Sequence, residues 1–368
     1  MGRPSKGGMI GLSDYILFLL SLKKRGKLVD LGHIVEKCGR DMGENDRSVI
    51  EATLSGLVER GDVAVEGSMY RATDRGRERF SLIFEERREE FTSLNEAWSM
   101  VYVAKNYYPH VADVIADLCR GRYVGFFCVF TDKHFFRRKL GKDYITINSP
   151  SDLLRLVDIH YIDVIPCVHR VGEQRPDWLV VDLDAGDLVS FSDVKRAAIL
   201  TYRALEAHEM RPALKFSGGR GFQVWAAVND FELPSEYRGY PHARKTKGSG
   251  YFFLFADMVA YLESSIRSEM EGKTTSVVSD KSKRRDKILL DPSSMKEMGL
   301  VRSPYSIHHR TGLVSMPLEP DEVEEFEPSM ATPEKVLERF KRRGNEFKLE
   351  PRDPTDLVEA TLRWKRSI

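Results

Sequence analysis

The sequence predicts an α+β protein: a helical amino-terminal module followed by a mixed α/β core. Three observations carry that reading. Residues 10–82 show three helical patterns and then a hairpin pattern. From about Gly121 the texture changes to short β-rich runs, FFCVF, YITI, YIDVIPCV and WLVVDLD, separated by turns and helices. The length, 368 residues, is more than one domain's worth of chain.

The elements follow in order. Residues 1–9 begin MGRPSKGG, a basic, Gly-rich arm expected to be flexible. Its GlyArgPro is of a kind that enters AT-rich minor grooves. Ser13–Lys24 is apolar at helical spacing. Its run YILFLLSL is far shorter than the roughly 20 residues a membrane helix needs, so it is expected to be a core helix. Asp30–Cys38 is a second helix, opened by an N-cap aspartate. Asn45–Arg60 is a third, with Val49, Ala52, Leu54, Leu57 and Val58 predicted inward. Val63–Thr73 reads as two strands about a Glu-Gly turn, with DRGRERF as the exit. Helix, helix, helix, hairpin is winged-helix order, which sets a winged-helix domain at 10–82. Its third helix is not basic: Glu44, Asp46, Glu51 and Glu59 stand against Arg47 and Arg60. Charge leaves both DNA and protein open as its partner. Residues 83–120 read as a charged helical connector. Residues 121–327 form the second domain, with helices at Asp193–His208 and Tyr251–Met270. Residues 328–368 are a helical tail with an amphipathic stretch at Pro333–Arg343.

Composition narrows the function. The hydrophobic share of 42% and aromatic share of 10% suffice for packed cores. Lys+Arg of 57 against Asp+Glu of 56 gives +1, so any nucleic-acid site must come from local clustering. Cys38, Cys119, Cys128 and Cys167 show no CxxC spacing, so no zinc is expected. With no signal peptide, they fit buried thiols in a reducing cytoplasm. No membrane association is expected.

Three segments of the second domain carry chemistry. In WLVVDLDAGD, strand alternation points Asp182 and Asp184 the same way, about 7 Å apart, with Leu183 on the packed face. Two neighbouring carboxylates repel each other, and a divalent cation removes that repulsion; hard oxygen ligands suit Mg²⁺ or Mn²⁺. Alone, such a pair is also an ordinary solvated strand end. In KFSGGRGFQVW, Gly218, Gly219 and Gly221 let the backbone turn sharply, and successive N–H groups there can form an anion nest. Lys215, Ser217 and Arg220 add donors suited to phosphate. The plain alternative is a Gly-Gly hairpin turn. In Lys287–Leu318, Asp291 ends an apolar run, and Arg302, Ser306, His308, His309 and Arg310 follow. A third carboxylate could complete a two-metal site, and the cations could grip a triphosphate.

Together these segments resemble the archaeo-eukaryotic primase superfamily. It includes the small catalytic subunit of primases and the polymerase domain of bacterial end-joining DNA ligases. The resemblance runs from about Gly121 to Glu322. It implies a mixed α/β primase-polymerase catalytic core after the amino-terminal winged helix, which is not itself part of the shared core. Asp182 and Asp184 match the first family motif. Ser217, Gly218, Gly219, Arg220 and Gly221 match the second, with Gln223 at the family's histidine position. Asp291 matches the third. Lys215 and the SPYS stretch, Ser303–Ser306, are similar to the end-joining polymerases. SIHHRTGL, Ser306–Leu313, is close to a loop of archaeal primase small subunits. The resemblance thus implies Asp182, Asp184 and Asp291 as catalytic metal ligands for Mg²⁺ or Mn²⁺. It implies Lys215, Ser217, Gly218, Gly219, Arg220, Gln223, Arg302, Ser306, His308 and Arg310 as nucleotide and phosphate contacts. The cysteine-rich zinc element of many primase small subunits is absent from the sequence.

The implied reaction is nucleotidyl transfer of NTP or dNTP to a nucleic-acid 3′-hydroxyl or an initiating nucleotide, in priming or end repair. Gln223 can still donate through its amide, without charge; one lost charge-assisted hydrogen bond is worth roughly 1–3 kcal/mol. The competing readings are a primase-like protein that binds DNA or nucleotide without polymerising, and a transcriptional regulator that uses the core as a ligand sensor. Expected partners are a primer-template or DNA end and the nucleotide. A large primase subunit, a ligase or another replication or repair protein are further candidates. KSKRRDK (Lys281–Lys287) and Arg244–Lys247 are candidate template-phosphate contacts.

Overall fold

The computed structural model describes residues 10–130, 133–238, 249–278 and 285–368. The amino-terminal arm, Arg244–Lys247 and most of KSKRRDK lie outside them. The chain divides into two compact units. One comprises the residues up to Tyr108 with Cys128–Phe135 and Leu154–Tyr161; the other holds the rest.

The first unit begins with α1 (Leu12–Ser21), whose residues Tyr15–Ser21 are all buried. A helix apolar on every side must sit centrally, which is what YILFLLSL required. β1 (Val29–Asp30) leads into α2 (Leu31–Met42), where the Asp30 side chain accepts from His33 N–H as the expected N-cap. α3 (Arg47–Glu59) buries Ile50, Leu54 and Leu57. The expected inward set is thus corrected: Val49 is 42% exposed and Ala52 faces solvent. Positions 50, 54 and 57 form a single i, i+4, i+7 stripe, and adjacent Val49 falls outside it. β2 (Val63–Glu66) and β3 (Met69–Ala72) form the hairpin, with Gly67 at φ +62° in its turn. β1 joins them in the sheet order β1-β3-β2. The expected exit, DRGRERF, instead opens α4 (Asp74–Glu86), capped by Thr73. α5 (Arg88–Leu94) and α6 (Glu96–Tyr107) follow. Phe18, Phe80, Phe91 and Tyr102 pack ring against ring at 5.1–6.4 Å.

The remaining chain opens with α7 (Ala112–Cys119), β4 (Val124–Phe130), β5 (Lys133–Arg137), β6 (Lys139–Leu140), β7 (Asp143–Tyr144), α8 (Pro150–Asp158) and β8 (Tyr161–Pro166). It continues with β9 (Trp178–Ala185), α9 (Phe191–Glu206), β10 (Pro212–Phe216), β11 (Phe222–Ala227) and α10 (Gly250–Ile266). It ends with β12 (Thr274–Thr275), β13 (Ile288–Asp291), β14 (Pro317–Leu318), α11 (Pro333–Arg343) and α12 (Thr355–Ser367). Strands β5-β4-β8 form one sheet, and the central sheet has the order β12-β13-β9-β11-β10-β14. In the central sheet β12 runs parallel to β13, and the other pairs are antiparallel.

The two faces of the central sheet differ. Leu183, Phe222 and Leu290 lie in register on one face, and Phe191 of α9 and Phe326 pack on Phe222. The opposite face carries Asp182, Gln223 and Trp225. All four cysteines are buried, as expected. No helix among the described residues is long and apolar enough to cross a membrane.

Candidate active site

Register builds the site. Asp291 of β13 stands opposite Asp182 of β9, Asp182 opposite Gln223 of β11, and Gln223 opposite Lys215 of β10. Directly paired residues share a face with Cβ atoms about 4.5–5.5 Å apart. The four side chains therefore form one row across four strands, Asp291–Asp182–Gln223–Lys215. Asp184 sits two residues along β9 on the same face.

Electrostatics in the row are strained. Burial, then the charge of Asp184 and, further down, that of Asp291 push the Asp182 carboxyl up to about 7. The Gln223 amide and Lys215 pull the other way. Lys215 is fully buried; burial, then the charge of Arg302, holds its ammonium well below its ordinary value. Its Nζ donates to Ser315 Oγ at 2.6 Å and lies 5.2 Å from the Trp225 ring centroid. Lys215 is thus part of the site's floor, not an exposed phosphate donor. Gln223 Oε1 accepts from Trp225 Nε1 at 3.2 Å. An indole N–H can only donate, so this contact fixes the amide oxygen and turns the NH₂ toward Asp182.

The glycine turn is tightly seated. Gly218 has φ +82°, and a Cβ there would meet His308 Cβ at 2.9 Å. A Cβ on Gly221 would stand 2.0 Å from the Leu183 carbonyl oxygen. Ser217 Oγ accepts from the N–H groups of Gly219 at 3.2 Å and Gly221 at 3.4 Å. The expected nest is therefore occupied by the Ser217 hydroxyl. His308 Nδ1 accepts from the N–H groups of Arg310 and Thr311, both at 3.2 Å. That leaves the proton on Nε2, beside Gly219. Burial, then the charge of Arg302, pushes His308 down to about 3, so the ring is neutral at pH 7.

Arg302 is placed differently from a phosphate contact. Its Nε and Nη2 donate to both oxygens of buried Asp163 at 2.8 and 2.9 Å, and Nη1 donates to Ser217 O at 3.2 Å. His309 also donates to Asp163, through its backbone N–H at 3.2 Å, and its Nδ1 stands 2.8 Å from that carboxylate. The His309 ring stacks on Phe127 with centroids 3.5 Å apart. Ser306 is fully buried, and its Oγ accepts from Val164 N–H at 2.7 Å, so it braces β8 and is out of a ligand's reach. Asp163 was missed because it is one carboxylate inside the apolar run YIDVIPCV. The only sequence signal was a charge at a position where a buried strand wants none.

An open cleft of about 200 Å³ lies beside the row, lined by Asp184, Asp187, Arg220, Arg285, Lys287 and Leu289 among others. Arg220 pairs with Asp187 at 2.6 Å. Arg285 and Lys287 are cations that sequence reasoning had placed only within a basic stretch. Arg310 is exposed. The β6–β7 hairpin also presents exposed Leu140 and Tyr144, with the Lys139 ammonium 4.5 Å from the Tyr144 ring.

The donor set fits a hard divalent ion in its chemistry: carboxylate oxygens on one face, with a repulsion that a cation would relieve. As placed, no three acidic, His or Cys side chains among the described residues close into an ion cage. Asp291 Oδ1 instead accepts from Ser293 N–H at 2.8 Å.

Comparison with known proteins bears on the fold and the family. No curated protein matches the chain. Among solved structures, the chain is similar to the polymerase domain of Mycobacterium tuberculosis Ligase D in complex with DNA. The TM-score is 0.54 at 21% identity, covering 66% of this chain and 89% of that one. At that identity the likeness speaks for the fold. The family model for the LigD primase-polymerase domain matches residues 128–347, more than half of the chain. The row of Asp291, Asp182 and Gln223 and the turn against them all fall within that span, and the chain belongs to the LigD primase-polymerase domain family.

Proposed function

We propose that this chain is a primase-polymerase nucleotidyltransferase that joins an NTP or dNTP to a nucleic-acid 3′-hydroxyl in DNA end repair. The observation that supports it most is the row Asp291–Asp182–Gln223–Lys215, with Asp184 opening onto a cleft lined by Arg220, Arg285 and Lys287. Asp182, Asp184 and Asp291 would hold the divalent ions, Mg²⁺ or Mn²⁺. Such ions lower the pKa of a hydroxyl nucleophile and neutralise charge on a triphosphate. The chain's own groups do the rest. The cleft cations draw phosphates in and screen their charge. His308 offers a neutral Nε2–H beside the Gly218–Gly219 turn. Arg302 acts through that turn, as a positioning residue, by holding Ser217 O. Gln223 orients Asp182. Leu140, Tyr144 and Lys139 offer stacking and charge to a template strand.

We read the amino-terminal unit as a winged helix on its element order and its β1-β3-β2 sheet. Its α3 is poorly suited to a DNA groove, because Arg47 is paired with Glu51 at 2.9 Å.

The test is extension of a labelled 5′-overhanging primer-template with NTPs and with dNTPs, in Mg²⁺ and in Mn²⁺, beside an Asp182→Ala/Asp184→Ala control. Incorporation that the control loses supports the reading. A second reading, a binder without transfer, is favoured by the uncharged Gln223 where the family has histidine. It gains if DNA binds but no condition gives incorporation.

A further inference from the structure

The first unit gathers cations around one tryptophan. Lys23, His33, Lys37, Arg40, Asp41 and Trp98 line a small cavity between α1, α2 and α6. The Lys37 ammonium stands 6.0 Å from the Trp98 ring centroid, and the His160 ring meets Trp98 edge-on at 4.8 Å. Arg40 is paired with Asp41. Lys23, Lys27 and Lys37 have no carboxylate partner among the described residues.

A merely solvated basic face would splay its lysines into water. Here Lys23 and Lys37 are half-buried. Burial, then Lys27 and Lys37, holds the Lys23 ammonium below its ordinary value. Burial, then Lys23 and Lys37, does the same to His33. Asp41 is the acid on this lining, and its oxygens are taken by Arg40 and the Tyr15 hydroxyl; the partly buried lysines beside it are what a further anion relieves. The cavity, about 20 Å³, has room for one polar group such as a phosphate oxygen and none for a base. The half-buried Trp98 ring at its rim is the other half of a single-strand platform, where charge holds the backbone and an aromatic ring stacks a base. An acidic peptide would use the lysines and leave the ring idle.

We propose that the Trp98-centred cluster is a second nucleic-acid site, which binds single-stranded nucleic acid with Lys23 and Lys37 on a backbone phosphate and Trp98 stacked on a base. Lys23, Lys37 and Trp98 precede the family-matched segment 128–347. The site needs neither metal nor nucleotidyl transfer, so it stands or falls apart from the catalytic reading.

The test uses the full chain and a short fluorescent oligo(dT), with affinity read by anisotropy over a range of NaCl concentrations. Lys23→Gln/Lys37→Gln should weaken binding and make the slope of log affinity against log salt shallower by about 1.4, two single-strand phosphate contacts' worth. Trp98→Leu should weaken binding about 5- to 150-fold, as for loss of one stacked base. Asp182→Ala/Asp184→Ala should leave the Lys23/Lys37-dependent part of the slope in place. The lysine variant guards against misfolding, because glutamine keeps most of the side-chain length at both half-buried positions, Lys23 in the turn after α1 and Lys37 on α2. Unchanged affinity and slope in that variant overturn the proposal. So does poly-glutamate displacing the oligonucleotide as well as unlabelled oligo(dT) does, which would assign the cluster to an acidic protein.

Discussion

Asp163 is the residue whose removal should matter most to the second unit. It is fully buried and accepts from Arg302 twice and from His309, with Ser306 Oγ at 3.5 Å. Burial alone would raise its carboxyl. The Arg302 charge and the hydrogen bonds from His309 and Arg302 outweigh burial and hold it well below the usual carboxylate range. Asp163→Leu deletes the acceptor and strands an Arg302 side chain that is only 15% exposed. Breaking one partner of a buried pair costs about 3–5 kcal/mol, whereas replacing both by apolar groups is often neutral. Asp163→Leu should therefore destabilise the unit by about that amount, and Asp163→Leu/Arg302→Met should restore a large part of it. The assay is urea unfolding of the four proteins of the double-mutant cycle, in which the double variant should be more stable than Asp163→Leu alone. The pH dependence has a fixed sign. A depressed folded value contributes stability above the ordinary carboxylate pKa of about 4, and that stability is lost as pH falls below it. Wild type should show that acid loss, and the double variant should lack this part of it. A single variant costing less than about 1 kcal/mol, or a double variant costing the full sum, would refute the reasoning.

Three further predictions follow from single contacts. His160 is pushed down to about 4 by burial, then by Lys105, Lys23 and Lys27, against an ordinary 6.5. The unfolded chain therefore takes up the proton first, and the first unit should lose on the order of 3 kcal/mol as pH falls from about 6.5 to 4. His160→Asn, which tolerates the φ of +72°, should flatten that slope in denaturant titrations at each pH. Gly221→Ala should cost about 2 kcal/mol or more and lower the melting temperature, because its Cβ would sit 2.0 Å from a backbone oxygen; a wild-type melting curve would contradict the register of the turn on β9. Gln223→Leu strands the buried Trp225 indole N–H and should cost roughly 1–3 kcal/mol in urea unfolding; a change within about 0.5 kcal/mol would mean the indole finds another acceptor.

What the sequence made legible was local. The Asp30 cap, the Gly67 turn and the inward Leu183 between two aspartates each follow from one segment's own chemistry. The three acidic positions could be read because each ends a strand. Which strands are neighbours could not be read, and it decides the rest. Lys215 looked like a phosphate donor from its place before a glycine turn. Only the pairing of β10 with β11 and the arrival of Ser315 put it under the row. Asp163 has its partners 139 and 146 residues away, so nothing near it in sequence announces an ion pair. Ser306, read as a ligand contact, is used by the backbone of β8 for the same reason. The third helix failed locally: Val49 and Ile50 are both apolar, and one residue of phase separates the stripe from solvent.

The same long-range pairing changes what Gln223 means. Read alone, it is a histidine lost. In the sheet its oxygen takes the Trp225 N–H, and its NH₂ serves Asp182, a residue that burial and two carboxylates make hard to ionise. A protonated histidine has only donors and would face the indole N–H with a donor of its own. A neutral histidine would need one nitrogen for Trp225 and the other for Asp182, with none left for a ligand. Glutamine meets both neighbours without a proton to gain or lose. Position 223 and Trp225 therefore act as a pair. The cleft that Asp184 lines carries exposed Arg220 and Arg285 and half-buried Lys287, whose Nζ donates to Gly272 O. On the proposed function, these cleft cations would supply the charge that Gln223 lacks, and the glutamine would mark a rearranged site.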